Sequence, residues 1–371
     1  MSKKIAFIKI GDFSHINRSV ERLLKDCFPG FEVETIDIFD KFLKRKPNVY
    51  FMNTLYVIKE FGLKNSIGRD LAIRFFHTTY IFRLIKSYIS KYLSEGNYIF
   101  SFQTQSLFDA SSKYIPHFVY TDNTVLANLY YLSPEEIYSE YSDSWIRLER
   151  TIYHNSSINF TMSSNVSKSM IEQYSCSQHK VACVYAGSNV KNIGIDLNKK
   201  RYDNKHILFV GREWERKGGK DLIEAFKIVL SSHPDAKLTI VGCTPNISIK
   251  NCNVIGRITL QELHRYYLDA SVFCLPTKRE PFGIAFVEAL MHGLPIVATN
   301  IAAIPDFVLQ GQNGYLVKPN DIRGLASALI ELISDPDKCR VFGKNGFHIA
   351  MERYTWENVA SLIKSHIESV I

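Results

Sequence analysis

The chain has 371 residues, 46% hydrophobic and 22% charged, with a formal net charge of +8. That length leaves room for two or three domains, each able to bury its own core, and the mild basicity suits a phosphate-bearing ligand or an anionic surface without singling out nucleic acid. No apolar run approaches the roughly 18–20 residues that span a bilayer, Ile5-Ala6-Phe7-Ile8 is too short for a signal peptide, and seven scattered cysteines with no C-x-x-C argue against a disulfide framework or a structural zinc site and for a reducing cytoplasm.

In chain order, residues 4–10 read as a strand ended by Gly11-Asp12, residues 17–27 as a helix and residues 31–38 as a second strand. Further strands are expected at 98–102, 117–121, 158–162 and 181–185, with helices at 134–153 and 166–174 between them. A polar stretch at 187–205 reads as a linker. Beyond it, strands are expected at 206–210, 237–241, 253–255, 272–275, 295–298 and 315–317. Helices are expected at 220–231, 260–268, 282–292, 321–333, 336–351 and 356–370. Strands alternating with helices imply parallel sheets, whose ligands lie at the carboxyl ends of the strands. Two such domains with a linker suggest a site in a cleft between them.

Two clusters carry chemistry. Gly211-Arg212-Glu213-Trp214-Glu215-Arg216-Lys217-Gly218-Gly219 joins a strand to a helix. The Arg212 fork and the Lys217 point charge, brought near each other, suit a diphosphate; a solvated turn with incidental charges is the equal alternative. The second cluster runs from Arg279 to Glu288. Gly283, near a helix start, lets backbone N–H groups approach an anion. Glu280 lies in the loop before that helix and Glu288 two turns into it, flanked by apolar residues, so that a buried carboxylate needing partners is expected. Two acids beside an anion site make sense if the ligand also carries hydroxyls, a sugar at Glu280 and a ribose at Glu288. Otherwise they are a loop acid and an ordinary helix residue.

These residues resemble the family 4 glycosyltransferases. Gly211-Arg212 with Lys217-Gly218 is similar to the family's G-R-x4-K-G segment, and Glu280 with Glu288 to its E-x7-E motif. Residues 289–298, Asn313-Gly314-Tyr315-Leu316-Val317 and Tyr354-Thr355-Trp356 resemble three later segments in the same order. The resemblance covers roughly residues 205–371 and implies a GT-B fold, two Rossmann-like α/β domains facing a cleft. It implies an acceptor domain at 1–187, a nucleotide-sugar domain at 188–355, and a last helix, 356–371, crossing back to the first. It further implies retention of configuration without a metal or cofactor, the nucleotide-sugar being a co-substrate. Arg212 and Lys217 would then contact the diphosphate, Glu280 the donor sugar and Glu288 the ribose. Gly283, with Pro281, Phe282 and Ile284 beside it, would line the donor site, and the base would lie near Arg257 and the main chain of Ile258. Asp335-Pro336-Asp337 has the D-x-D form of metal-dependent transferases, but a Ser334 or Asp335 cap with Pro336 at the first helical position explains it.

The N-terminal half departs from the family pattern. One glycine, Gly11, stands where relatives carry a Gly-Gly turn, so its donor contact is in doubt. Thr121 precedes Asp122 where relatives carry a histidine. Asp122 is the acceptor-contact candidate, with a strand-end capping role nearly equal; His15 and His117 are weaker candidates.

Residues 41–91 hold eleven Lys and Arg against Glu60 and Asp70. From there to just beyond, Leu71, Phe75, Phe82, Ile85, Ile89 and Leu93 recur on one helical face. A basic amphipathic helix on an anionic membrane is one reading; a core-packed helix with a solvated basic face is the other. The aromatic side chains could also line an acceptor pocket. The expected activity is sugar transfer to a glycan, glycolipid or small-molecule hydroxyl in cell-surface polysaccharide or glycolipid synthesis, with no nucleic-acid partner. The expected place is the cytoplasm, or its periphery at the inner face of the membrane. A nucleotide-sugar epimerase and a non-catalytic nucleotide-sugar binder are the alternatives.

Overall fold

The computed structural model describes residues 3–13, 16–44, 46–63, 66–189 and 195–371, with the side chains of Arg69, Pro134, Tyr138 and Ser139 left aside. His15, Arg45 and Lys64 lie outside the described residues, as does the 190–194 part of the expected linker. The chain divides into two compact units, one running to Ala186 and including Val359–Ile371, the other Gly187–Asn358.

The first unit begins with β1 (Lys4–Lys9), α1 (Ile16–Cys27), β2 (Glu32–Asp37), α2 (Pro47–Phe61), α3 (Gly68–Arg74) and α4 (Thr79–Glu95). It continues with β3 (Tyr98–Thr104), β4 (His117–Thr121), α5 (Pro134–Glu140), α6 (Asp143–Asn155), β5 (Ile158–Thr161), α7 (Ser164–Glu172) and β6 (Val181–Cys183). Its strands pair in parallel in the order β2-β1-β3-β4-β5-β6. Near-continuous apolar runs such as Ile5–Ile8 are fully buried, as a parallel sheet covered on both faces requires. Ile8, Ile36, Ile85 and Ile89 belong to one apolar cluster, and Val119, Trp145, Ile152 and Met170 to another.

Two expected helices are broken, each by a hydroxyl cap. The apolar repeat over 71–93 is not one helix. α3 ends at Arg74, residues 75–77 form a 3-10 turn, and Thr78 starts α4 by accepting a hydrogen bond from Ile81 N at 3.2 Å. Thr78 also donates to Asn53, a bond that holds the break in place. The expected helix at 134–153 is likewise two, because Ser142 caps α6 by accepting from Trp145 N at 3.2 Å. A side-chain oxygen that satisfies a first-turn N–H sets a helix start wherever the apolar period runs on. The apolar stripe of α4 (Ile81, Phe82, Ile85, Ile89, Leu93) is buried inside the unit. Part of the basic surplus is also used internally: Lys86 pairs with Asp109 at 2.9 Å, and Lys41 and Lys46 lie 3.8 Å from the ring centres of Tyr92 and Tyr88.

The second unit holds β7 (His206–Val210), α8 (Gly219–Ser232), β8 (Lys237–Val241), β9 (Cys252–Gly256), α9 (Leu260–Asp269) and β10 (Val272–Leu275). After these come α10 (Ile284–Met291), β11 (Ile296–Thr299), α11 (Ile304–Phe307), β12 (Gly314–Val317), α12 (Ile322–Ser334), α13 (Pro336–Arg353) and α14 (Trp356–Glu368). Its parallel sheet has the order β12-β11-β10-β7-β8-β9. In chain order within the unit this is the 3-2-1-4-5-6 arrangement of dinucleotide-binding folds, and the first unit follows 2-1-3-4-5 with one strand added. From Val359 onward α14 belongs to the first unit. There Val359, Ile363 and Ile367 are buried and the Cys27 thiol donates to Ala360 O at 3.8 Å.

Trp145 ties α6 to the turn before α4, since its fully buried indole donates to Phe76 O at 3.2 Å. Trp145→Ala should cost about 3–5 kcal/mol of stability by cavity formation and loss of that bond. Chemical denaturation with the parent as reference measures it.

Candidate functional site

In an open parallel sheet the strand order reverses beside the first strand, and the loops leaving the two strands there diverge to leave a crevice. In the second unit these strands are β7 and β10. The loop after β7 carries Arg212 to Lys217, and the loop after β10 carries Arg279 and Glu280. The topology therefore brings together two segments more than sixty residues apart.

The two loops are stitched to each other. Lys278 N donates to Arg216 O at 2.8 Å, Thr277 Oγ1 lies 3.1 Å from that oxygen and 3.0 Å from Arg279 O, and the Arg216 guanidinium donates to Arg279 O. Glu213 holds Arg216 through two bonds of 2.9 Å. At the centre, Lys217 Nζ forms an ion pair with Glu280 Oε2, the two side chains being 11% and 6% exposed. Arg212 and Lys217, expected to lie near each other, share the loop after β7, and Lys217 forms its ion pair with Glu280. Arg212 stands exposed on the loop, with no hydrogen bond or ion pair among the described residues.

Two glycines make this approach feasible. Gly218 has φ +73°, and a Cβ there would lie 1.8 Å from Pro276 O at the end of β10. Gly283 has φ +100° and precedes α10, where a Cβ would lie 2.6 Å from the Phe286 ring. Both positions favour a residue without a side chain. The expected helix at 282–292 thus begins two residues later, and Phe282 is in the loop, buried and edge-on to Phe307 at 5.1 Å. Pro281 and Ile284, on either side, are half-buried.

Glu288 lies on α10 and is 3% exposed. Its Oε2 accepts from Tyr267 Oη at 3.0 Å, and burial pushes its carboxyl up to about 7, the Tyr267 bond opposing the shift. Tyr267 comes from α9, and nothing in the sequence marked it. Beneath it His292 stacks on the Tyr267 ring at 4.8 Å and is hydrogen-bonded at Nδ1 to Glu288 O at 2.6 Å. Arg257 is exposed and Ile258 half-buried just after β9, ahead of Thr259, which caps α9 in a reciprocal box with Glu262.

In the first unit Gly11 follows β1 with φ +56°, and its carbonyl accepts from Asn17 Nδ2 at 2.9 Å. Asn17 in turn accepts from Thr104 Oγ1 at 2.7 Å, linking the loop after β1 to the end of β3 at this unit's own switch point. Asp122 is half-buried just past β4, beside the buried Thr121, whose Oγ1 donates to Asn123 O at 3.0 Å. His117 stands at the opposite end of β4, fully buried, 2.7 Å from Ser101 Oγ at Nδ1; burial lowers its pKa to about 4 and keeps it neutral. Its place is structural. Asp335 caps α13 by accepting from Lys338 N at 2.9 Å, with Pro336 at the first turn, so the D-x-D run is a helix start. Among the described residues no group of three His, Cys, Asp or Glu side chains could hold a metal ion.

The raised Glu288 carboxyl has a consequence for stability. In the unfolded chain it releases its proton near 4.5, in the folded protein only near 7. The native state binds the extra proton between those values, so stability falls as pH rises through this window. Glu288→Gln, which still accepts from Tyr267, should therefore gain stability relative to the parent at pH 8 over its value at pH 5. Denaturation curves at the two pH values check this, and a pH-independent difference would contradict it.

Residues 195–348 match the family described as glycosyl transferases group 1. The capsular polysaccharide biosynthesis glycosyltransferase CapM of Staphylococcus aureus is 29% identical over 180 residues, 45% of this chain and 47% of that protein. The GDP-mannose-dependent alpha-(1-6)-phosphatidylinositol monomannoside mannosyltransferase of Mycolicibacterium smegmatis is 28% identical over 172 residues, 42% of this chain and 45% of that protein. The aligned stretch thus spans about half the length of these curated relatives. Among solved structures, sucrose-phosphate synthase from Thermosynechococcus elongatus superimposes with a TM-score of 0.68 at 18% identity, covering 99% of both chains. Anabaena HepE in complex with UDP and glucose gives 0.63 at 14% identity, over 99% of this chain and 100% of that one. The fold is GT-B, and residues 195–348 of the second unit, which carry the Lys217–Glu280 crevice, match the group 1 glycosyltransferase family.

Proposed function

We propose that this protein is a retaining glycosyltransferase that moves a sugar from a nucleoside-diphosphate sugar to an acceptor hydroxyl in cell-surface polysaccharide or glycolipid synthesis. The observation that carries the reading is the Lys217–Glu280 pair, held at the switch point of a dinucleotide-binding sheet. The chemical difficulty of the reaction is departure of a nucleoside diphosphate. Lys217, the exposed Arg212 and the N-terminus of α10 behind Gly283 supply positive potential for the growing charge, so the reaction is read as needing no metal. Donor binding would divide the pair, Lys217 turning to the diphosphate and Glu280 to the sugar hydroxyls. Glu288 keeps Oε1 for a ribose hydroxyl while Oε2 accepts from Tyr267. Main-chain groups at Ile258, with Arg257, are read as base contacts, and the Gly11 loop as a further donor contact. Asp122 is read as the acceptor contact of the first unit. The likeness to HepE, solved with UDP and glucose, supports a nucleotide-sugar donor.

A donor screen tests this. A nucleotide-sugar should raise the melting temperature of the protein and release nucleotide when acceptor is present. Lys217→Ala and Glu280→Ala should each lower transfer by about a hundredfold or more, as removal of a transition-state charge partner does. Isomerised donor in the absence of acceptor would favour the epimerase, and donor binding without turnover the non-catalytic relative.

A peripheral position on an anionic membrane, with the rest of the molecule in the cytoplasm, is part of the same proposal. No helix among the described residues is long and apolar enough to cross a membrane. The buried stripe of α4 is not available for contact, but α2 exposes Phe51, Met52 and Leu55 on one face, and Leu63, Ile67 and Ile73 follow with exposures of 66%, 70% and 39%. Lys44 and Lys59 are exposed near them in sequence. Apolar wedges flanked by cations suit an anionic headgroup layer. The protein should float with phosphatidylglycerol vesicles, and Phe51→Ser with Leu55→Ser should abolish flotation without lowering the melting temperature. Equal flotation of that variant would contradict the placement.

A further inference from the structure

The second unit holds a cavity of about 860 Å³ at the end of the sheet opposite the donor crevice. His206 opens β7 and Lys237 opens β8, and both line it, with the last residues of α9 and the segment before β7 closing it. The Lys217 loop leaves the other end of β7, roughly 17 Å away for a five-residue strand at about 3.3 Å per residue. This cavity is therefore separate from the nucleotide-sugar site.

Its lining is strongly cationic. Lys199, Lys200, Arg201, Lys237 and Arg265 face it, against Asp196 and Asp269. Both carboxylates are already engaged: Asp269 lies 2.8 Å from His206 Nδ1, and Asp196 accepts from Asn198 N at 3.0 Å with Lys199 at 3.6 Å. The side chains of Lys237 and Arg265 have no hydrogen bond or ion pair among the described residues. Lys200 is 6% exposed, and among the described residues its ammonium donates only to the Tyr267 and Leu268 carbonyls, at 2.8 and 3.0 Å. A buried ammonium without a carboxylate partner is costly, and burial lowers its pKa to about 7 against the pull of Asp269. A multiply charged anion is the chemistry that would complete this set.

We propose that this cavity is a second ligand site, taking a small soluble phosphate-bearing molecule between Lys200, Lys237 and Arg265. His264 also lines it and connects it to the donor side. His264 Nδ1 lies 2.7 Å from His292 Nε2. His292 Nδ1 faces a carbonyl and must donate, and burial lowers the pKa of this ring to about 4. The ring is then neutral, its Nε2 accepts, and His264 Nδ1–H donates. An anion beside His264 would favour the imidazolium, strengthen this bond, and bear on the His292–Glu288 turn that holds the proposed ribose contact.

Calorimetric titration of the full chain with inorganic pyrophosphate tests the site. In an Arg212→Ala/Lys217→Ala background, which removes the donor-side cations, pyrophosphate should still bind, and adding Lys237→Glu and Arg265→Glu should weaken that binding at least tenfold. The neutral pair Lys237→Gln and Arg265→Gln, checked for an unchanged melting temperature, serves if charge reversal unfolds the protein. In the same background pyrophosphate should shift the His264 ring resonances in nitrogen-15 spectra. Absence of binding in the Arg212→Ala/Lys217→Ala background, binding indifferent to positions 237 and 265, or displacement of pyrophosphate by phosphatidylglycerol vesicles would overturn the proposal.

Discussion

A buried ion pair is a weak source of stability, because the desolvation of two charges offsets most of their attraction, yet removing one partner strands the other at a cost of about 3–5 kcal/mol. Lys217 and Glu280 stand in that position. Their pairing closes the two loops on either side of the switch point, and the loops are then fixed by bonds donated by the Arg216 guanidinium, the Thr277 hydroxyl and Lys278 N to main-chain oxygens. Gly218 stands where its loop approaches Pro276 O too closely for a Cβ, and Gly283 where a Cβ would meet the Phe286 ring. A site whose two charges neutralise each other can be kept intact without ligand and opened by a ligand that offers each charge a better partner.

Both units bury a carboxyl against tyrosine hydroxyls. In the second unit Glu288 takes the Tyr267 hydroxyl. In the first, Glu149 on α6 accepts from the hydroxyls of Tyr153 and Tyr174 and, at 3.1 Å, from Val125 N, three residues beyond Asp122. Burial raises both carboxyls to about 7, the tyrosine bonds opposing the shift. Tyrosine suits the task because its ring fills core volume while its hydroxyl satisfies a buried acceptor. The segment that carries Asp122 is thus anchored from beneath, through Val125, rather than by the strand alone.

Much of this was legible in the sequence because it depends on local chemistry. Apolar runs between turn residues marked most of the strands, and the ordered glycine, lysine and glutamate spacings of residues 211–288 marked the loops that build the crevice. The Asp335-Pro336 cap was legible for the same reason, since a helix start needs only a few consecutive residues. The breaks at Thr78 and Ser142 were hidden by an apolar period that runs on across them, and a hydroxyl cap wins there through one side-chain bond that periodicity does not register.

By itself, then, the sequence determined the alternating α/β class, the two-unit division and the identity of the charged loop residues. Only the tertiary structure decided which charges meet. Lys217 finds Glu280 because strand order, not spacing along the chain, sets β7 beside β10. Tyr267 reaches Glu288, and His264 reaches His292, because α9 packs where no linear motif points. The apolar stripe of α4 turned inward because a parallel sheet must be covered on both faces, which left the exposed apolar side chains to α2. Partners across a fold are chosen by topology and burial, and those are properties of the packed chain rather than of any segment of it.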